Sequence, residues 1–314
     1  MKPDLVSVDR SLLLPSHLEE LNKDFTVHFL PPASGDRIGF LKPLADKVRF
    51  AQTTGVGGMS AELIDALPKL EIIGCVGVGV DAINVAHAKK KGIKVTNTPD
   101  VLNDCVADLA FGLMIGASRR LMAADKHVRA GKWLQGSMPI ASRVAHKRLG
   151  ILGLGKIGKA IAKRAAGFDM AIAYHGRKQQ ADMPYKYYAD LADMAANVDF
   201  LVVICPGGEA TRHLVNEKVL RALGPKGILI NVARGSVVDE EALVRVLKEG
   251  GLGGAALDVF QKEPNVPTEL FTMDNVVLTP HVGSATFETR TDMGNLTIAN
   301  LRAHLQGKPL LTPV

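Results

Sequence analysis

The sequence predicts an α/β protein built from parallel sheets with crossover helices, and three observations carry that prediction. Short β-branched runs alternate with helical patterns along all 314 residues, the order that parallel strands and their crossovers require. The turn Gly153-Leu154-Gly155-Lys156-Ile157-Gly158 follows one such run and opens a helical pattern. The length, with 47% apolar residues, exceeds a typical single core and suits two domains.

Taken in order, strands are expected at Leu5–Val8, Thr26–Phe29, Val48–Gln52, Ile72–Val76 and Lys94–Asn97. Among them, Ser60-Ala-Glu-Leu-Ile-Asp-Ala-Leu-Pro68 starts with a good N-cap and ends at proline, as a short helix should. Val101 to about Gly131 reads as one long apolar helix at a domain junction, with Leu109, Leu113 and Met114 on a shared face. A second series runs through Arg148–Leu152, Met170–Tyr174, Phe200–Ile204, Ile228–Val232, Ala255–Val259 and Val276–Leu278. The last helix, Phe287–Leu305, is expected to rejoin the first domain. The expected boundaries are 1–98 with 286–314 for one domain and 99–285 for the other.

Composition narrows the function. The net charge is +6, but the clusters Lys89-Lys90-Lys91 and Arg119-Arg120 are small, and 5% aromatic content offers no stacking platform, so nucleic acid is not an expected partner. No window approaches about 18 uncharged apolar residues, and Met1-Lys2-Pro3-Asp4 lacks a signal-peptide pattern, so a cytoplasmic protein without a membrane span is expected. Cys75, Cys105 and Cys205 are far apart and show no metal-ligand spacing; buried free thiols and no metal are expected.

The glycine turn stands between a short buried strand and a helix, the context that turns a weak motif into a dinucleotide site. The first glycine permits the tight turn, the second lets backbone approach the pyrophosphate, the third lets helix pack on strand, and the helix amides face the phosphates. At the end of the next strand an NAD enzyme would place Asp or Glu. Here the segment is Tyr174-His175-Gly176-Arg177-Lys178. A carboxylate would repel the 2′-phosphate of NADP, whereas Arg177, Lys178 and His175 can donate to it. NADPH is therefore the expected cofactor, with NADH used more weakly.

Ligands of open α/β sheets lie beyond the carboxyl ends of the strands. Three groups stand there: Arg234 and Gly235 after Ile228–Val232, Asp258 at the end of Ala255–Val259 with Glu263-Pro264 close behind, and His281 after Val276–Leu278. Gly235 is expected to turn the chain away. Reduction of a 2-keto acid needs a cation for the carboxylate, an acid for the carbonyl oxygen and a hydride donor, which Arg234, His281 and NADPH would supply. Glu263 beside the imidazole would hold its tautomer and raise its pKa.

Through Gly153-Leu-Gly-Lys-Ile-Gly158, Asn231-Val-Ala-Arg-Gly235, Ala256-Leu-Asp-Val-Phe260, Glu263-Pro264 and Thr279-Pro-His281, the chain resembles the D-isomer-specific 2-hydroxyacid dehydrogenases over essentially its whole length. The resemblance implies two doubly wound parallel-sheet domains, a Rossmann cofactor domain and a flavodoxin-like substrate domain; two domains joined near Pro99 and again near His281–Ala285 lead to the expectation of a cleft that can close over substrate. It implies that Arg234 binds substrate, that the Glu263–His281 pair handles the proton, that Asp258 lies near the nicotinamide and Pro206 under the cofactor. It further implies that the loop Val76-Gly77-Val-Gly-Val-Asp81 holds the substrate carboxylate through its backbone amides at Val76 and Gly77, with Gly55–Gly58 shaping the pocket.

Within the family, Leu67–Ile73 and the Arg-containing loop most resemble glyoxylate and hydroxypyruvate reductases. Trp133 then reads either as a residue reaching a partner's active site in a homodimer or as a core or interface tryptophan. The expected reaction is NADPH-dependent reduction of a small anionic 2-keto acid, glyoxylate or hydroxypyruvate. Reductases of larger keto acids, such as hydroxyphenylpyruvate or 2-ketogluconate, are the alternative, and a dinucleotide-sensing corepressor-like protein is the alternative from another class.

Overall fold

The computed structural model describes residues 2–314, so Met1, part of the amino-terminal stretch read above, lies outside the described residues. The chain divides into two units, Met1–Leu102 with Ser284–Val314, and Asn103–Gly283. The first opens with strand β1 (Asp4–Ser7), helix α1 (Pro15–Asp24), β2 (Thr26–Phe29), α2 (Arg37–Leu41), β3 (Val48–Thr54), α3 (Ala61–Asp65), β4 (Ile72–Val76), α4 (Val85–Lys90) and β5 (Lys94–Thr96). The second follows with α5 (Asn103–Ser118), α6 (Leu121–Arg129), β6 (Arg148–Leu152), α7 (Lys156–Ala166), β7 (Ala171–His175), β8 (Lys186–Tyr188), α8 (Leu191–Ala196), β9 (Phe200–Val203), α9 (Glu217–Leu223), β10 (Ile228–Asn231), α10 (Glu240–Lys248), β11 (Gly254–Leu257) and β12 (Val276–Leu278). Helix α11 (Phe287–Leu305) belongs to the first unit.

The first unit holds a five-stranded parallel sheet in the order β2-β1-β3-β4-β5, the flavodoxin-like order. Successive strand residues point to opposite faces. Val6, Ala51 and Ile73 accordingly meet Leu63, Ile64 and Ala88 on one face, while Leu5, Phe50 and Ile72 meet Leu21, Phe25, Ile298 and Leu301 on the other. Both faces are covered, which is why these strands read as continuous apolar runs. Helix α11 lies close on β4, because a Cβ at Gly74 would stand 3.1 Å from the Thr297 side chain.

The second unit holds a seven-stranded parallel sheet in the order β12-β11-β10-β9-β6-β7-β8. Its direction reverses between β6 and β9, the switch point at which such sheets bind ligands. Met194, Leu220 and Leu243 pack on one face with Leu201, Leu229 and Ala255, and α5 lies along α7, β10 and β11.

Two expectations need correction. The single helix over Val101–Gly131 is broken: α5 ends at Ser118, Arg120 takes a left-handed φ of 52°, and α6 contains no buried residue. Apolar spacing continues through the break, so periodicity alone reads across it. Strand β8 was not expected; its three residues, Lys186–Tyr188, sit at the sheet edge, too short and polar for an apolar pattern. None of the three cysteines forms a disulfide, with Cys75 and Cys205 buried and Cys105 only partly so. Among the described residues, no helix is long and apolar enough to cross a membrane.

Candidate active site

Because the seven strands of the second unit run parallel, their carboxyl ends share one edge, and the singled-out residues fall along it in sheet order. His281 follows β12, Asp258 follows β11, Arg234 follows β10, Pro206 follows β9, the glycine turn follows β6, and His175, Arg177 and Lys178 stand at the end of β7. Residues scattered over more than 120 positions in sequence are thereby brought to one line.

The three glycines of the turn answer to different constraints. Gly153 has φ +102°, and a Cβ there would lie 2.7 Å from the Cys205 amide nitrogen. A Cβ at Gly158 would lie 2.2 Å from the Gly153 carbonyl oxygen, so it is the absence of a side chain that lets α7 start against the turn. At Gly155, the N-cap of α7, a Cβ would meet nothing within 4 Å. That open ground, in front of amides that have no intrahelical partner, fits a pyrophosphate. Leu154 is buried and Lys156 exposed beside it. Burial pushes the Cys205 thiol under the turn up to about 11, so it stays protonated.

Beyond β7 the chain bends through Gly176–Gln179, with Arg177 and Lys178 exposed and no carboxylate in the bend. His175 is held by its ring, Nδ1 lying 2.9 Å from the Tyr188 carbonyl of β8. A carbonyl only accepts, so Nδ1 carries the proton and Nε2 can donate to a phosphate only when the ring is charged. This qualifies the expected third donor. Pro206 is exposed just past β9, and its carbonyl accepts from Thr211 Oγ1 at 2.8 Å.

His281, with a left-handed φ of 53°, donates from Nδ1 to Glu263 Oε2 at 2.7 Å. Glu263 Oε1 accepts from the Phe260 amide at 3.1 Å. Burial alone would raise the Glu263 pKa, but the hydrogen bond and charge of His281, the Phe260 amide and the charge of Arg234 outweigh it and hold the carboxyl below its ordinary value. The pair therefore keeps a carboxylate on Nδ1 and leaves Nε2 for a reacting group. Arg234 is half-buried, with Nη1 donating to the Ala233 carbonyl at 2.8 Å.

The chain turns at Gly235, as expected, through the 3-10 turn Gly235–Val237, but the turn is not what requires glycine there. Its φ is not positive; instead a Cβ would lie 1.9 Å from the Phe260 carbonyl carbon. Only glycine lets the Arg234 loop lie against the loop that carries Glu263.

Asp258, expected near the nicotinamide, is buried and fully engaged within its own unit. Oδ1 accepts from Thr279 Oγ1 at 2.7 Å and the Val282 amide at 2.8 Å, and Oδ2 accepts from the Gly283 amide at 2.8 Å. Its own carbonyl accepts from the His281 amide at 2.8 Å. What the carboxylate does is hold the segment that carries His281. Burial pushes its pKa up, against the pull of these donors.

In the first unit, Val76 closes β4 and is buried, and the Gly77 amide already donates to Thr98 Oγ1 at 2.9 Å. The expected amide donor is thus taken. Among the described residues the next two amides, Val78 and Gly79, make no hydrogen bond and are the ones this loop can offer a carboxylate. Only the folded position of Thr98 reveals this. In the second unit, a largely apolar cavity of about 270 Å³ adjoins the Glu263–His281 pair, lined by Phe260, Glu263, Pro264, Val266, Phe271, Leu278, Thr279, Pro280 and His281.

The fold and this edge define a nicotinamide-dinucleotide-dependent oxidoreductase of the doubly wound class. Residues 111–283 match the D-isomer specific 2-hydroxyacid dehydrogenase, NAD binding domain, and the chain belongs to the D-isomer-specific 2-hydroxyacid dehydrogenase family. It is 50% identical over 303 residues to glyoxylate/hydroxypyruvate reductase A of Arabidopsis thaliana, covering 96% of each chain. It is 49% identical over 298 residues to the hydroxyphenylpyruvate reductase of Plectranthus scutellarioides, covering 94% of each. The crystal structure of an NADPH-dependent glyoxylate/hydroxypyruvate reductase from Sinorhizobium meliloti, in complex with NADP and malonate, superposes with a TM-score of 0.94 at 41% identity, covering 100% of this chain and 97% of that one.

Proposed function

We propose that this protein reduces glyoxylate and hydroxypyruvate with NADPH, giving the D-isomer where the product is chiral. The observation that carries the reading is the 2.7 Å His281–Glu263 contact at the same sheet edge as Arg234. When bound, the reduced nicotinamide supplies a hydride to the keto carbon. The imidazolium of His281, oriented by Glu263 on Nδ1, gives the proton on Nε2 to the keto oxygen and is left as the Nδ1–H tautomer. Arg234 binds the substrate carboxylate and polarises the carbonyl. Gly153–Gly158 and Pro206 line the cofactor, and Arg177 and Lys178 take the 2′-phosphate, which leaves NADH the weaker cofactor. The names of the Arabidopsis and Sinorhizobium relatives support substrate and cofactor alike.

One observation favours a second reading. The apolar cavity beside His281 and Glu263 is larger than glyoxylate or hydroxypyruvate needs and would take an aromatic side chain, as in hydroxyphenylpyruvate, the substrate in the Plectranthus relative's name. Following NADPH oxidation with glyoxylate, hydroxypyruvate, hydroxyphenylpyruvate and pyruvate decides between them. Highest kcat/KM on the first two supports the proposal, and highest on the third supports the alternative. Absence of turnover on every keto acid would replace both with a dinucleotide-sensing role.

A homodimer is part of the reading: Met122, Val128, Trp133, Leu134 and Ile140 are all exposed, 55% to 99%, apolar surface that a second copy would cover. Thiols without a disulfide at Cys75, Cys105 and Cys205 suit a reducing cytoplasm.

A further inference from the structure

We infer that Gln180 is a positioning residue that fixes the 2′-phosphate cations at a set distance from the pyrophosphate turn and thereby sets the cofactor preference. The inference rests on the proposed use of Arg177 and Lys178 for that phosphate.

The bend Gly176–Gln179 is tied down at both ends. At its start the Tyr187 hydroxyl donates to the Gly176 carbonyl at 3.2 Å. At its end the Gln180 amide donates to the hydroxyl of Tyr174, a fully buried side chain, at 2.7 Å. These contacts link the bend to its own strand and to the neighbouring β8. Two contacts link this segment to the glycine turn: before the bend the Gly153 amide donates to the His175 carbonyl at 3.0 Å, and after it Gln180 Nε2 donates to the Leu154 carbonyl at 2.8 Å.

The Gln180 bond acts on both phosphate sites. In a trans peptide the carbonyl and the following N–H point in opposite directions. Holding the Leu154 carbonyl toward Gln180 therefore turns the Gly155 N–H away from it. The bond also fixes where the bend stands relative to the turn. Arg177 and Lys178 are exposed and make no ion pair among the described residues, so nothing but the backbone of the bend aims them. Without the clamp the Gly153–His175 bond still holds the end of β7 to the turn, but the far side of the bend is released and the cations beyond it lose their register. NADH carries no 2′-phosphate and is indifferent to that register.

The test is equilibrium binding of NADPH and NADH by fluorescence titration, together with Tm, for the wild type, Gln180→Ala, Gln180→Glu, Arg177→Ala and the Arg177→Ala/Gln180→Ala pair. The wild type should bind NADPH more tightly. Gln180→Ala should weaken NADPH roughly tenfold with NADH changed by less than about threefold, one charge-assisted contact being lost. Gln180→Glu, of equal length but facing a carbonyl with an acceptor, should lose at least as much. The double variant should weaken NADPH little beyond Arg177→Ala alone, because both act through one contact. Equal loss for both cofactors, no loss, or full additivity in the double variant would overturn the assignment of Gln180. Equal affinity of the wild type for both cofactors would instead overturn the underlying reading of Arg177 and Lys178, and is seen before any variant is made.

Discussion

His281 donates from Nδ1 to Glu263 Oε2 at 2.7 Å, and that bond fixes which ring nitrogen faces a substrate. His281→Ala should lower kcat by roughly 10²–10⁴-fold, the usual range for a general acid. NADPH affinity should stay within a few fold. A parallel loss of cofactor binding would assign the histidine to structure instead.

The same pair predicts a pH effect on stability. Glu263 is held below its ordinary pKa, so its contribution is present above the unfolded carboxyl pKa and disappears as pH falls through the lower folded value. The Tm difference between wild type and Glu263→Gln should therefore be largest near about pH 7 and shrink toward about pH 3. A difference that is flat over that range refutes the depressed pKa.

Arg234→Ala should raise KM for keto acids and also lower kcat, since the guanidinium both binds and polarises. Arg234→Lys should recover little, because a point charge does not reproduce the two-pronged donor. Steady-state kinetics with each keto acid measures both, and an unchanged KM rules the role out.

Two glycines of one turn should fail in opposite ways. Gly153→Ala puts a side chain at φ +102° and against the Cys205 backbone; it should cost about 3 kcal/mol of stability, seen in denaturant titration. At Gly155 a side chain enters open space. Gly155→Val should leave the Tm nearly unchanged while abolishing NADPH binding, and tight binding by that variant would argue against a pyrophosphate there.

Asp258→Asn replaces one carboxylate acceptor with a donor facing the Val282 and Gly283 amides or the Thr279 hydroxyl. Because that carboxylate holds the His281 segment, kcat should fall about tenfold with less change in NADPH affinity. A loss confined to cofactor binding would return Asp258 to the nicotinamide.

Much of the fold was legible because its signals are local. Strands β2, β4, β6 and β12 and helix α11 begin and end where apolar runs and caps predicted. The failures also have local causes. The break at Arg120 rests on one left-handed residue inside a continuing apolar pattern, and β8 is three residues that become a strand only by pairing with β7. Glu263 and His281 could be named as partners because they follow neighbouring strands. Gln180 could not, since its partner Leu154 lies across a fold contact that no spacing encodes.

By itself the sequence determined the elements, the glycine turn and the residue types standing after each strand, because hydrophobic period, chain punctuation and chemical group are properties of short segments. Only the tertiary structure decided which groups are already spoken for. Asp258 is taken by Thr279, Val282 and Gly283, the Gly77 amide by Thr98, and Gly235, at the expected turn, is required by the closeness of the Phe260 backbone rather than by a positive φ. Hydrogen-bond valence and close approach are settled between segments far apart in sequence, so the edge of the sheet had to be assembled before its free donors could be told from its used ones.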